Sequence, residues 1–246
     1  MKNEKFEKSL DSLFETWKYV KRDTINTLGI EKTQHIIDFH GNIIIDISSW
    51  IYNKYNKEEH KNIVFVEFTR LFKEIYWIQF LFLHANYPII YRNLRYCLEM
   101  MSQAYYVDQQ NPIYNIDKQV EMITEFEEKT YGWKIVEPVL CKIFESNGKD
   151  IKEKYKPVWD FLNKHVHSSA LQMQMIATED IKSLVTDSFN ENLAKKALEV
   201  FDKIFDLIYS IVFNKYPEIK EKALEYTFIN EWEEFIPITM KIIRTK

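Results

Sequence analysis

The stretch VWDFLNKHVHSS, Val158 to Ser169, sets two of the chain's six histidines one residue apart at the end of an apolar-periodic segment. Imidazole is the side chain that takes and returns a proton near neutrality, because its ordinary pKa is about 6.5. Upstream, PIIYRNLRYCLEMMSQAYYVDQQ carries Arg92, Arg95 and Glu99 on an otherwise apolar helix. Arg95 and Glu99 are four apart and share one side, a turn from each other. Arg95 and Glu99 are expected to flank a cleft and to orient a third group, and His167 is the candidate for it. Asn163, one turn before His167, would hold the imidazole or a phosphate oxygen, and Arg92, Lys164 and His165 are the expected substrate contacts. Residues two apart point about 200° around a helix, so only one histidine of the pair faces such a site. His167 shares the side of Asn163, which leaves His165 facing solvent or ending the helix. The structural alternative is an internal Arg95–Glu99 ion pair, with His167 a buried or capping residue bonded to Glu99.

The elements that must position these residues are helices. The 246-residue chain holds 46% hydrophobic residues, enough to bury a sizeable core. It has only 4 Gly and 6 Pro, too few for a turn-rich β architecture. Periodicity predicts helices over 3–28, 32–56, 58–85, 88–109, 115–130, 133–146, 150–166, 179–214 and 217–243. Pro88, Pro112, Pro138, Pro157 and Pro217 delimit them, and SNGKD (Ser146 to Asp150) is the clearest turn. Ala194, Leu198, Phe201, Phe205, Ile208 and Val212 form the stripe of a helix packed in a bundle. The 88–109 helix is apolar on several faces and is expected at the centre. The expected architecture is an all-α, up-and-down multi-helix bundle in one domain spanning 1–246. It comprises an N-terminal helical hairpin (1–56), a core (58–215) and a C-terminal helix (217–246).

The Arg–Glu helix followed by a helix ending in FLNKHVHSS resembles the HEPN superfamily, and more narrowly prokaryotic helical proteins of the abortive-infection type. The resemblance covers about residues 58–215. It implies a helical bundle that often dimerises, and an effector of a defence or toxin–antitoxin system, with metal-independent endoribonuclease activity and an antitoxin-like protein partner. One departure matters. Active members typically carry an Arg a few residues before the histidine on the same helix, whereas here Lys154, Lys156 and Lys164 are the nearby cations. A lysine lacks the guanidinium fork that reaches one phosphate with two donors. Arg95 or Arg92 would have to supply it from the neighbouring helix. In the metal-independent RNA cleavage that the resemblance implies, His167 would be the base that deprotonates the 2′-hydroxyl and Arg95 the cation that stabilises charge developing on the phosphate. The alternative expectation is a non-catalytic helical module that binds a nucleotide or a protein.

Other chemistries are weaker. His35, Asp38 and His40 cluster in QHIIDFH, but on an α-helix they do not share a face, and none of the histidines has Glu three before it, so no metal and no cofactor is expected. Lys142, Lys149, Lys152, Lys154, Lys156 and Lys164 interleave with Tyr155, Trp159 and Phe161, either a phosphate-and-base surface or a solvated face whose aromatics point inward. The formal charge of −4 gives no global pull toward nucleic acid. Cys97 and Cys141 read as buried free thiols, the N-terminus MKNEKFEKSLDSLFE has no apolar leader, and IYWIQFLFL is too short to span a bilayer. A cytoplasmic protein without a membrane partner is expected. The aromatic content of 15% exceeds what a bundle core needs and leads to the expectation of a homodimer.

Overall fold

The computed structural model describes residues 2–55, 62–110, 116–129, 132–165, 189–225 and 229–245. Among them every regular element is helical, and they pack as an all-α multi-helix bundle. The elements are α1 (Lys2–Leu28), α2 (Ile30–His35), a π-helical turn (Ile36–Gly41), α3 (Asn42–Lys54), α4 (Ile63–Leu83), α5 (Tyr87–Gln110), α6 (Ile116–Lys129), α7 (Trp133–Ile143) and α8 (Gly148–Lys164). After them come α9 (Glu191–Lys215), a 3₁₀ turn (Pro217–Ile219), α10 (Lys220–Leu224), α11 (Ile229–Phe235) and α12 (Pro237–Arg244). No helix of the described residues is long and apolar enough to cross a membrane.

Helix starts follow local chemistry. Asn62, Asn147 and Asn190 each stand one residue ahead of a helix in extended backbone, and their side chains accept from N–H groups of the first turn. Those donors have no partner within the helix, so each cap contributes about 1 kcal/mol. Asn190 explains why α9 begins at Glu191 and not at the expected 179. Of that expected span, residues 179–188 lie outside the described residues.

Two helices carry the core. α5 lies against α4, α6, α7, α8 and α9, and it buries Ile90, Tyr91, Leu94, Cys97, Leu98, Met101, Ala104, Tyr105 and Val107 on several faces. α9 is buried without a break from Phe205 to Phe213. The buried apolar cluster runs from Val20 of the N-terminal segment to Ile243 of α12, so the expected hairpin over 1–56 shares the same core as the rest.

The prolines behave differently from expectation. Pro138 and Pro157 lie inside α7 and α8. Each costs an intrahelical hydrogen bond, and burial of their neighbours, Val136, Val139 and Leu140 on α7 and Trp159 and Leu162 on α8, offsets that loss. Pro237, by contrast, opens α12 at a position where its missing N–H is harmless. The C-terminal helix expected over 217–243 is therefore broken into the 3₁₀ turn, α10, α11 and α12.

The start of α12 is held by a side chain from another helix. Asp206, almost fully buried on α9, accepts from the backbone N–H of Ile238 (2.9 Å) and of Thr239 (2.7 Å). Both are donors that α12 itself leaves unpaired. Asp206→Ala orphans them and is expected to cost about 2 kcal/mol, whereas Asp206→Asn keeps one acceptor and costs about half of that. Urea unfolding of the three proteins checks the order.

Candidate functional site

α5 and α8 bring Arg95, Glu99 and the end of α8 together. The Arg95 Nη2 lies 3.5 Å from a carboxylate oxygen of Glu99, with side-chain exposures of only 15% and 16%. The other Glu99 oxygen accepts the N–H of Gly132 at 2.5 Å. Gly132 has φ of +68°, which an L side chain rarely adopts, and a Cβ there would stand 3.4 Å from the Trp159 ring and 3.8 Å from Arg95. The glycine thus lets the start of α7 close over the ion pair. The Arg95 guanidinium also rests 5.1 Å from the centroid of Trp159, at cation–π distance.

Arg92 does something else. Its Nε donates to the backbone carbonyl of His165 at 2.6 Å, satisfying an acceptor at the C-terminus of α8, where positive charge is favoured. The expected substrate contact is therefore a helix cap. His165 itself is buried, at 5% exposure, against Tyr91 (ring centroids 4.6 Å) and Phe161 (5.1 Å). It does not face solvent. Neither ring nitrogen has a hydrogen-bond partner, nor does the buried hydroxyl of Tyr91. Burial, then the charges of Arg92 and Lys164, lowers the pKa of His165 below its ordinary value, so it is packed as a neutral ring and is a poor substrate contact.

Asn163 is half-buried and Lys164 exposed on the last turn of α8. His167, the expected base, lies outside the described residues. Tyr155 and Trp159 point inward, so neither ring is offered to a base, and Lys154 lies 5.1 Å from the centroid of Tyr155. Sequence reasoning missed a different aromatic, Trp133 at the first position of α7. It stands 6.1 Å from Trp159, Lys156 lies 5.9 Å from its ring centroid and pairs with Asp160 at 2.5 Å, and its buried indole N–H has no partner among the described residues. The Arg95 Nε is likewise a donor without a partner. Lys152 bridges to Glu137 at 3.4 Å but remains well exposed.

A second cluster corrects the reading of QHIIDFH. In an α-helix residues five apart point about 140° from one another. The π turn over Ile36–Gly41, with its i→i+5 bonding, lays His35 and His40 on the same side instead. Asp38 faces solvent, and Asp202 of α9 takes its place. One oxygen of Asp202 lies 2.8 Å from the His35 Nε2 and 2.9 Å from the His40 Nε2. Burial pushes the Asp202 carboxyl up, but the hydrogen bonds to His35 and His40 outweigh it and hold the group below its ordinary value. His40 is fully buried, and desolvation lowers it to about 4 against the pull of Asp202. The only sequence signal for this grouping was the presence of two histidines; the partner aspartate is 162 positions from His40.

The neutral packing of His165 has a pH signature. The unfolded chain binds a proton at this residue near pH 6.5, and the folded chain resists it. The stability that His165 contributes at neutral pH is therefore lost as pH falls below about 6.5 and through the lower folded value. His165→Phe keeps the ring packing and removes the proton uptake. The stability difference between wild type and variant, from urea melts at pH 7.5 and pH 5.5, is expected to move in favour of the variant at the lower pH.

Against known proteins, no family model, no curated protein and no solved structure matches the chain.

Proposed function

We propose that the chain is a non-catalytic helical module that binds single-stranded RNA, or a nucleotide as its smallest unit, on the face formed by α7 and α8. The observation that carries this reading is the half-buried indole of Trp133 with lysines beside it: Lys156, 5.9 Å from its ring centroid and paired with Asp160, and Lys152, paired with Glu137 on the same helix as Trp133. A half-buried indole offers a stacking surface to any base, and flanking cations neutralise phosphates. The two guanidinium groups support binding over catalysis. Arg95 is engaged by Glu99 and Trp159, and Arg92 by the carbonyl of His165. The likeness of α5 and α8 to the HEPN pattern supports a role as an effector in a defence or toxin–antitoxin system, with an antitoxin-like protein as its partner.

One observation favours a second reading, the metal-independent endoribonuclease. Arg92 holds the end of α8, two residues before His167, so a guanidinium adjoins the segment that carries the candidate base. The two readings separate in one experiment. A fluorescently labelled single-stranded RNA is titrated with protein at two salt concentrations, and the same RNA is incubated with protein in chelator and run on a gel. Binding that weakens with salt, and that falls about tenfold in Lys152→Glu/Lys156→Glu and in Trp133→Ala, supports the module. Cleavage in chelator that disappears in His167→Ala replaces it with the ribonuclease. Neither binding nor cleavage by wild type removes both.

A homodimer belongs to the same proposal. On α4, Trp77 and Phe80 stack with their ring planes 10° apart and remain nearly half exposed, and Phe80 and Trp17 of α1 both meet His84. Aromatic surface of this kind marks interfaces. Light scattering at micromolar concentration is expected to return twice the 29.8 kDa chain mass, and Trp77→Lys to return the monomer. A monomeric wild type ends the claim.

A further inference from the structure

The His35–His40–Asp202 cluster lies on the opposite chain segments from Trp133 and takes no part in the RNA-binding reading. Its two imidazole nitrogens and one carboxylate oxygen all lie within 4.8 Å of one another. Two hydrogen-bonding arrangements are open to it, and Tyr209 separates them. The Tyr209 hydroxyl is 3.0 Å from the His40 Nδ1 and 3.3 Å from the backbone carbonyl of His40. A hydroxyl has one proton. If it donates that proton to the His40 Nδ1, the His40 Nε2–H donates to Asp202 and the network closes without an ion. If it donates to the carbonyl instead, it must accept from Nδ1–H, and the Nε2 of the neutral ring then presents a lone pair to the Asp202 carboxylate at 2.9 Å. That contact is repulsive unless a cation stands between the two. A second proton on His40 would serve, but charging an imidazole with no solvent exposure is costly.

We propose that His35, His40 and Asp202 bind one divalent first-row transition-metal ion, with a coordination position left open toward the adjoining cavity. Two imidazoles and a carboxylate are a donor set that such ions favour, and three protein ligands leave room for water or an exogenous ligand. The order of contacts matches that of built metal sites. The ligating His40 gives its remaining N–H to Tyr209, which orients the ring as an outer partner does. His35 is fixed between Phe39, stacked at 5.1 Å, and Phe235 at 4.5 Å. Tetrahedral zinc bonds of about 2.1 Å set ligand atoms about 3.4 Å apart, so each nitrogen must draw back from the Asp202 oxygen, now at 2.8 and 2.9 Å, to admit the ion between them. His35 and Asp202 line a cavity of about 500 Å³, into which Glu31, Glu199 and Glu234 also face along with Lys32 and Lys195. The ion thus has an entry path whose carboxylates outnumber its ammonium groups.

The test uses the full chain stripped with chelator and then titrated with Co²⁺, read by visible absorption, and with Zn²⁺, read by melting temperature. One Co²⁺ per chain with ligand-field bands, and a melting temperature raised by several degrees in Zn²⁺, are expected, because an ion that binds only the folded state stabilises it. His35 is partly exposed at the cavity, so His35→Ala is expected to fold and to lose the bands. Tyr209→Phe is expected to weaken Co²⁺ binding by about 10- to 100-fold, the usual cost of an outer partner. Asp38→Asn, exposed in the same stretch of sequence, is expected to leave binding unchanged. A wild type with neither bands nor thermal shift at millimolar metal overturns the proposal, as does a His35→Ala protein that binds as tightly as wild type.

Discussion

A charge placed on a helix that is buried on nearly every face must find its partner within hydrogen-bond reach, and the arrangement of this bundle follows from that constraint. Asp108 on α5 and Asp206 on α9 are shut off from water, and Arg95, Glu99 and Asp202 meet it only in part. An uncompensated buried charge costs several kcal/mol. Each therefore draws another element to itself. Glu99 takes the N–H that opens α7, Asp206 takes the first N–H groups of α12, and Asp108, 1% exposed, takes Lys215 at the end of α9 at 2.5 Å and the side chain of Asn62 ahead of α4. Apolar burial brings α5 and α9 to the centre, and these polar contacts set how the outer helices meet them.

The same constraint limits the chemistry. The Arg95 guanidinium is held between a carboxylate and an indole, and the Nε of Arg92 caps a helix C-terminus, so both serve the α5–α8 contact. Function is then left to groups that the packing does not consume. Around Trp133 these are a half-buried indole face and the partly exposed Lys152 and Lys156. Around Asp202 they are two imidazole nitrogens that meet on one carboxylate oxygen beside an open cavity.

The π turn between α2 and α3 joins the two themes. One altered repeat brings His35 and His40 to a common side, and Gln79 of α4 anchors the preceding turn by donating to the Thr33 carbonyl at 2.6 Å. Such turns are uncommon within helices and recur where a side chain must be re-aimed. Here the re-aimed residue is His40, which packs against Phe201, Phe205 and Tyr209 and turns its Nε2 to Asp202.

The sequence by itself determined the helical class, the central burial of α5, the apolar stripe by which α9 packs and the nearness of Arg95 to Glu99. Each rests on spacings of three and four residues, and local periodicity reports those directly. It also pointed to Arg92 and His165 as neighbours of interest, without telling a cap and a buried ring from substrate contacts. That distinction depends on which carbonyl and which aromatic rings lie opposite, residues on other helices. Trp133 reads as one more apolar helix residue until α8 sets Lys156 and Trp159 beside it. QHIIDFH offered two histidines that an α-helix would turn apart. Only the tertiary structure, through i→i+5 bonding and an aspartate 162 positions away, decided that they meet, because long-range contacts leave no periodic trace in the chain that makes them.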